Sequence, residues 1–205
     1  MALIALGILA HAGTVRGAGQ TLTATEPTVG TNDIGGGFRF GTHTLSVEAG
    51  AVGGVKILGG TRSHNLALAS VAYGWMLGPV RGGDHWYRGI WEVRGELFGG
   101  SQYSPSSYYI VGLTPHLRYD FATGRRWIPF VDIGAGATAT GIGRPDLSNT
   151  FEFNIQGGVG LHYLICKNWA VTAEIHYFHV SDAEMTSPNY GVNGVMGMVG
   201  VTRFF

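Results

Sequence analysis

The chain has 205 residues, and its 13 Lys and Arg balance 13 Asp and Glu, so there is no basic excess to attract nucleic acid or other polyanions. Charged residues make up only 13% of the chain while glycines number 35 and aromatics reach 12%, a balance that favours closely paired strands with aromatic surfaces over helices. The single cysteine, Cys166, rules out an internal disulfide and sits in no metal-ligand spacing, and no run of about 18 apolar residues supplies a transmembrane helix, so a membrane-spanning form must be a barrel.

In chain order, residues 1–12 carry a short apolar run closing in Ala10-His11-Ala12, a small-residue pattern of the kind that precedes export cleavage, although no Lys or Arg leads it. Residues 13–42 show no convincing period and read as a Gly- and Thr-rich leader. From 43 to 205 the chain alternates. In "YYIVGLTPHLRYDF", Tyr109, Val111, Leu113, Leu117, Tyr119 and Phe121 oppose Thr114, His116, Arg118 and Asp120. "WEVRGELF" and "FEFNIQGGVGLHYLIC" repeat the pattern. Strands are expected at roughly 43–57, 65–77, 86–99, 107–121, 128–141, 151–165, 168–182 and 193–205. A soluble sandwich also alternates, but its strands run about 5 to 6 residues whereas these run about 10 to 15, the length that crosses a bilayer at a tilt.

The fold class is therefore all-β: an eight-stranded antiparallel transmembrane β-barrel of the outer-membrane type. "ATGRRW" and "CKN" make tight turns at one end, whereas "GGSQYSPSS", "GIGRPDLSNT" and "AEMTSPNYGV" are longer and belong to the other. "GPVRGGDHW" is long for its side. The ending Phe204-Phe205 resembles the terminal aromatic by which outer-membrane barrels are recognised, which makes the barrel-assembly machinery a partner through Phe205.

Strand 7 reads "NWAVTAEIHYFHVSDA". Its apolar parity of Trp169, Val171, Ala173, Ile175 and Tyr177 continues to His179 and Ser181, which places both on the lipid face. Glu174 and His176 turn to the lumen with Glu92, Arg94, Glu96, His116, Arg118 and Asp120, where paired charges fill a narrow barrel. About 13 residues at about 3.3 Å and a tilt near about 45° climb about 30 Å, so Ser181 emerges at the outer edge of the outer leaflet. Asn193 shares that face and height on strand 8.

Residues i and i+2 on one strand face let an imidazole reach a serine Oγ and activate it, and a third group then orients the ring. Asn193 is the candidate third group, with Asn189 and backbone N–H groups of the turn as oxyanion donors. A polar His and Ser at the water boundary is the plain alternative. "GAGATA" at 134–139 matches a dinucleotide-binding spacing but lies within an expected strand, with no helix to follow it.

The stretch "FHVSDAEMTSPNYGVN" resembles the outer-membrane lipid A 3-O-deacylases, also called acyloxyacyl hydrolases, whose motif reads H-x-S-N-A followed by P-N-x-G and a polar residue. The resemblance extends over roughly residues 86–205. It implies an eight-stranded barrel with Ser181 as nucleophile, His179 as general base and Asn189 contributing to the oxyanion hole, acting on lipid A or lipopolysaccharide at the outer leaflet. Asp182 and Glu184 are the supporting residues of that site. No metal or cofactor is implied, nucleic acid is not a partner, and a homodimer is compatible. Two positions depart from the family: Asp182 stands where Asn is usual, and Asn193 where the best-known members carry Glu. A catalytically silent structural or adhesive barrel on the same scaffold is the alternative function.

Overall fold

The computed structural model describes residues 39–205, and the chain from His43 onward builds a single closed sheet. Its strands are β1 His43–Gly54, β2 Asn65–Arg81, β3 Gly89–Ser104, β4 Tyr108–Phe121, β5 Trp127–Thr140, β6 Phe151–Cys166, β7 Trp169–Ser181 and β8 Val192–Phe204. Each pairs antiparallel with the next, and β1 pairs with β8 from Thr44↔Phe204 to Gly54↔Gly194, which closes the barrel and leaves no sheet edge. The expected signal segment, and the leader up to residue 38, lie outside the described residues.

Because successive side chains alternate across a strand, closure divides the sequence into a wall and a filling. On β7, Trp169, Val171, Ala173 and Ile175 are exposed while Ala170, Thr172, Glu174 and His176 are buried. All five tryptophans, at 75, 86, 91, 127 and 169, gather at the end closed by connections 82–88, 122–126 and 167–168. Tyr103, Tyr108, Tyr109, Phe151 and Phe153 belong to the opposite end. Two aromatic belts around an apolar wall are what a bilayer's two interfaces demand.

The filling is layered. Toward the end with the long loops, Val52, Leu66, Phe98, Ile110, Phe178, Val180 and Val192 form one apolar cluster. At the tryptophan end, Met76, Ile90, Ile128, Leu164 and Phe204 form another. Between them lies a charged layer centred on Arg118, whose Nη2 donates to Asp132 Oδ2 and to Glu174 Oε2, each at 2.7 Å. Its guanidinium also lies 3.6 Å from the centroid of the Phe130 ring. Arg94 sits 3.4 Å from Glu174 and 3.8 Å from Glu48, His176 Nε2 lies 3.0 Å from Asp132, and His116 Nε2 lies 3.4 Å from Glu96. Strand parity anticipates the charged layer. The apolar layers at both ends are less visible in it, because an inward Phe178 or Val180 looks like the outward hydrophobes beside it.

Four boundaries differ from the sequence expectation by three residues or more: β1 stops at Gly54 rather than 57, which leaves Ile57 in the 55–64 connection, β3 begins at Gly89 rather than 86, and two strands run on further. β3 runs to Ser104, so "GGSQYSPSS" is mostly strand and only 105–107 connects β3 to β4. Of the two glycines in that stretch, Gly100 has a packing role: a Cβ there would lie 2.0 Å from Ala67 O on β2. Likewise β2 runs on to Arg81 through an irregularity after Leu77, which shortens the junction before β3 to 82–88.

Arg118 is fully buried and bridges two carboxylates, so its removal leaves uncompensated charge in the lumen. Arg118→Met is expected to destabilise the barrel by about 3 to 5 kcal/mol. Urea unfolding of the detergent-solubilised barrel, followed by tryptophan fluorescence, measures it.

Candidate active site

The site lies where β7 and β8 reach the long-loop end. His179 pairs with Asn193 in the β7–β8 register, and Ser181 closes β7 two residues on. Three outward side chains therefore meet because the ladder sets two strands side by side and period 2 repeats along one of them. His179 Nε2 lies 2.9 Å from Ser181 Oγ, and His179 Nδ1 lies 2.7 Å from Asn193 Oδ1.

A third contact settles where the imidazole proton sits. Asn193 Nδ2 donates to the carbonyl oxygen of Ile57 at 2.9 Å. A carbonyl only accepts, so the amide nitrogen must face Ile57 and Oδ1 must face the histidine. His179 then carries its proton on Nδ1, donating to Asn193, and presents the Nε2 lone pair to the Ser181 hydroxyl. This is the tautomer a general base needs. Tyr177, two residues before His179 on the same face, donates its hydroxyl to Asn193 Oδ1 at 2.5 Å and stacks on the imidazole with the ring planes 11° apart.

The loops enclose this line of groups. Residues 55–64 fold back over β8: Val55 N donates to Asn193 O at 2.8 Å, and Asn193 retains only 1% exposure despite its outward parity. A cleft of about 210 Å³ remains, lined by Leu58, His179, Ser181, Glu184, Asn189, Tyr190 and Gly191. Gly191 has φ +73°, and a Cβ there would come within 3.1 Å of His179 Cε1, so glycine is what lets the loop pass over the imidazole. Among the described residues, the non-glycine positions with positive φ, Leu58, Ala183 and Glu184, all belong to the two loops flanking the cleft.

The supporting residues have separate placements. Asp182 is buried and holds the 182–191 loop, accepting from Ser148 Oγ at 2.9 Å, from Thr186 N at 2.9 Å and from the Thr186 hydroxyl. Burial opposes its charge, but these hydrogen bonds, together with one from Asn189, outweigh it and hold the carboxyl below its ordinary range. Glu184 lines the cleft beside Ser181. Asn189 reaches the cleft too, but its amide donates to Ser148 Oγ at 3.1 Å and to both Glu152 oxygens, the nearer at 3.1 Å. The loops are tied together as well, with Gly191 N bonded to Asp146 O at 2.9 Å and the Asp146 carboxylate 3.4 Å from Arg62.

The family model described as lipid A 3-O-deacylase (PagL) matches residues 68–202, a span that contains His179, Ser181 and Asn193. The chain belongs to the lipid A 3-O-deacylase family. No curated protein matches the chain. Among solved structures it is similar to the outer membrane enzyme PagL, at TM-score 0.52 and 16% identity over 77% of this chain and 97% of that one. Neisserial surface protein A (NspA) follows at TM-score 0.56 and 15% identity over 80% and 97%, and the outer membrane protein OprG from Pseudomonas aeruginosa at 0.50 and 11% over 87% and 99%. At these identities the likeness is one of fold, the closed barrel that this lipid A 3-O-deacylase family member shares with those outer-membrane proteins.

Ile57 and Leu58 precede the residues matched to the deacylase family, and sequence reasoning missed both. A backbone carbonyl carries no side-chain signal, so the role of Ile57 was invisible. Tyr177 was legible only as part of the apolar stripe, although its position at i−2 from the histidine was a usable clue. In the lumen Asp132, Glu174 and His176 converge within 4.8 Å of one another in a manner that could hold a metal, but Arg118 already supplies the cation bridging the two carboxylates.

Asp182 also generates a pH test. Its folded-state pKa lies below its unfolded value, so its contribution to stability is complete above the unfolded pKa and is lost as pH falls through the folded one. Asp182→Ala is expected to lower the thermal midpoint at neutral pH, with the gap from wild type narrowing once pH drops below about 4, where unfolded aspartate protonates. Melting both proteins from about pH 7 to about pH 2 checks this, and a gap that widens on acidification contradicts it.

Proposed function

We propose that this barrel is a serine esterase that removes the 3-O-linked acyl chain of lipid A, with its site at the outer leaflet. The observation that carries the reading is the line Ser181 Oγ, His179 Nε2 and Nδ1, Asn193 Oδ1, with contacts of 2.9 and 2.7 Å and the amide nitrogen of Asn193 turned away to Ile57 O. Membership of the lipid A 3-O-deacylase family supplies the substrate class.

In this reading Ser181 Oγ attacks the ester carbonyl carbon while His179 Nε2 takes the hydroxyl proton. The tetrahedral intermediate collapses as Nε2 returns that proton to the departing sugar oxygen, leaving the acyl group on Ser181. Water then attacks the acyl-enzyme with Nε2 again taking the proton. The second tetrahedral intermediate collapses as Nε2 gives that proton to Ser181 Oγ, which releases the fatty acid and restores the free serine. Asn193 accepts from Nδ1–H throughout and stabilises the imidazolium as a dipole. Backbone N–H groups of the 182–191 loop stabilise the oxyanion, and Asn189 joins them by exchanging one of its bonds to Ser148 or Glu152.

The wall below the site suits an acyl chain. Ile155 and Phe153 pair with His179 and Ser181 across β6, and further down Ala49, Ala173, Ile175, Gly197 and Val199 flank an apolar groove of about 410 Å³. Phe205, exposed at the opposite end, is the proposed contact with the assembly machinery.

The second reading is a silent barrel, favoured by the amide in place of a carboxylate and by the fold neighbours NspA and OprG. Mass spectrometry of lipid A separates the two. Cells expressing the wild-type chain should gain a lipid A species lacking one 3-O-linked acyl chain, and cells expressing Ser181→Ala or His179→Gln should not. Since the two residues act as one unit, the double variant should be no slower than either single variant. Heat-modifiable gel mobility should show all of them folded. Absence of the shortened species with the wild-type protein leaves the silent barrel.

A further inference from the structure

Tyr177 lies beside the line of groups described above, and neither the family motif nor the proposed reaction accounts for it. Its hydroxyl donates to Asn193 Oδ1 at 2.5 Å, the atom that also receives His179 Nδ1–H at 2.7 Å. The amide is therefore held at three points: Nδ2 by Ile57 O, and the two lone pairs of Oδ1 by Tyr177 and His179. The Tyr177 ring, on the same strand face two residues away, also stacks on the imidazole that this amide orients.

An asparagine in the third position has a weakness that a carboxylate lacks. A carboxylate presents two equivalent acceptors, whereas an amide rotated about its terminal bond presents a donor. Rotation would set Nδ2 against His179, move the imidazole proton to Nε2, and leave nothing at Nε2 to accept the Ser181 proton. From this geometry we infer that Tyr177 is a positioning residue: its phenol holds Asn193 Oδ1 toward Nδ1, so that the neutral third group keeps His179 in the base-competent tautomer. The inference rests on the esterase reading for its kinetic consequence, but not for the tautomer itself.

The test uses the full chain in detergent with purified lipid A and four proteins: wild type, Tyr177→Phe, Asn193→Ala and the double variant. Phenylalanine keeps the stacking ring and removes only the hydroxyl. Tyr177→Phe is expected to lower kcat by about five- to ten-fold, the scale of one net hydrogen bond, with KM unchanged. In the Asn193→Ala background the same change should cost nothing, because the phenol acts through the amide. Where wild type hydrolyses lipid A, an equal loss in both backgrounds, or none in either, overturns the inference. The second arm needs no activity: nitrogen-15 NMR of the imidazoles, with His179 assigned by its disappearance in His179→Gln. A single Nδ1–H tautomer is expected in wild type and a mixture of both in Tyr177→Phe; the same tautomer in both proteins overturns the inference. If wild type hydrolyses no more than Ser181→Ala while the NMR arm behaves as expected, the esterase reading fails and the positioning role of Tyr177 stands.

Discussion

Every feature of this protein depends on the closed ladder. With β1 paired to β8, every strand of the barrel has hydrogen-bonded partners on both sides, and period 2 then decides the environment of every side chain. Once Trp169 faces outward, Tyr177, His179 and Ser181 must as well, and the β7–β8 register fixes Asn193 opposite His179. The site is a product of register more than of loop folding, and a slip of one residue would turn it into the lumen.

The lumen sets the rigidity on which such a site relies. A charged layer clamped between two apolar clusters holds the barrel in shape: Arg118 ties β4 to β5 and β7 through Asp132 and Glu174, and Arg94 ties β3 to β7 and β1. β7 is thus anchored on its inner face by Glu174, five residues from the histidine it carries on the outer one. The 2.9 Å contact between His179 and Ser181 gains from a strand that is held from behind.

The strands, their parity and the outward placement of His179 and Ser181 were legible because alternation is a strong and repeated signal. Two kinds of information were not. Glycine has two meanings, so the pair at 99 and 100 looked like a turn when Gly100 is the residue that lets β2 and β3 approach. Contacts made by backbone leave no trace in side-chain chemistry, and so nothing in the sequence pointed to Ile57. Asn193 shows how far the reading could go: as a residue type it looked like a weaker carboxylate, yet its two ends meet different partners, and the donor end meets a carbonyl that a carboxylate would repel. Asn189 and Asp182 lie in the turn, and their contacts belong largely to the scaffold of the loop.

The bond from Asn193 to the Ile57 carbonyl separates what variation can change in the 55–64 loop from what it cannot. A carbonyl is common to all amino acids, so substitution at position 57 leaves the orienting contact chemically intact. Insertions and deletions are different, since they move the backbone itself. The loop can thus drift in composition while its contour stays under constraint from the Asn193 amide beneath it.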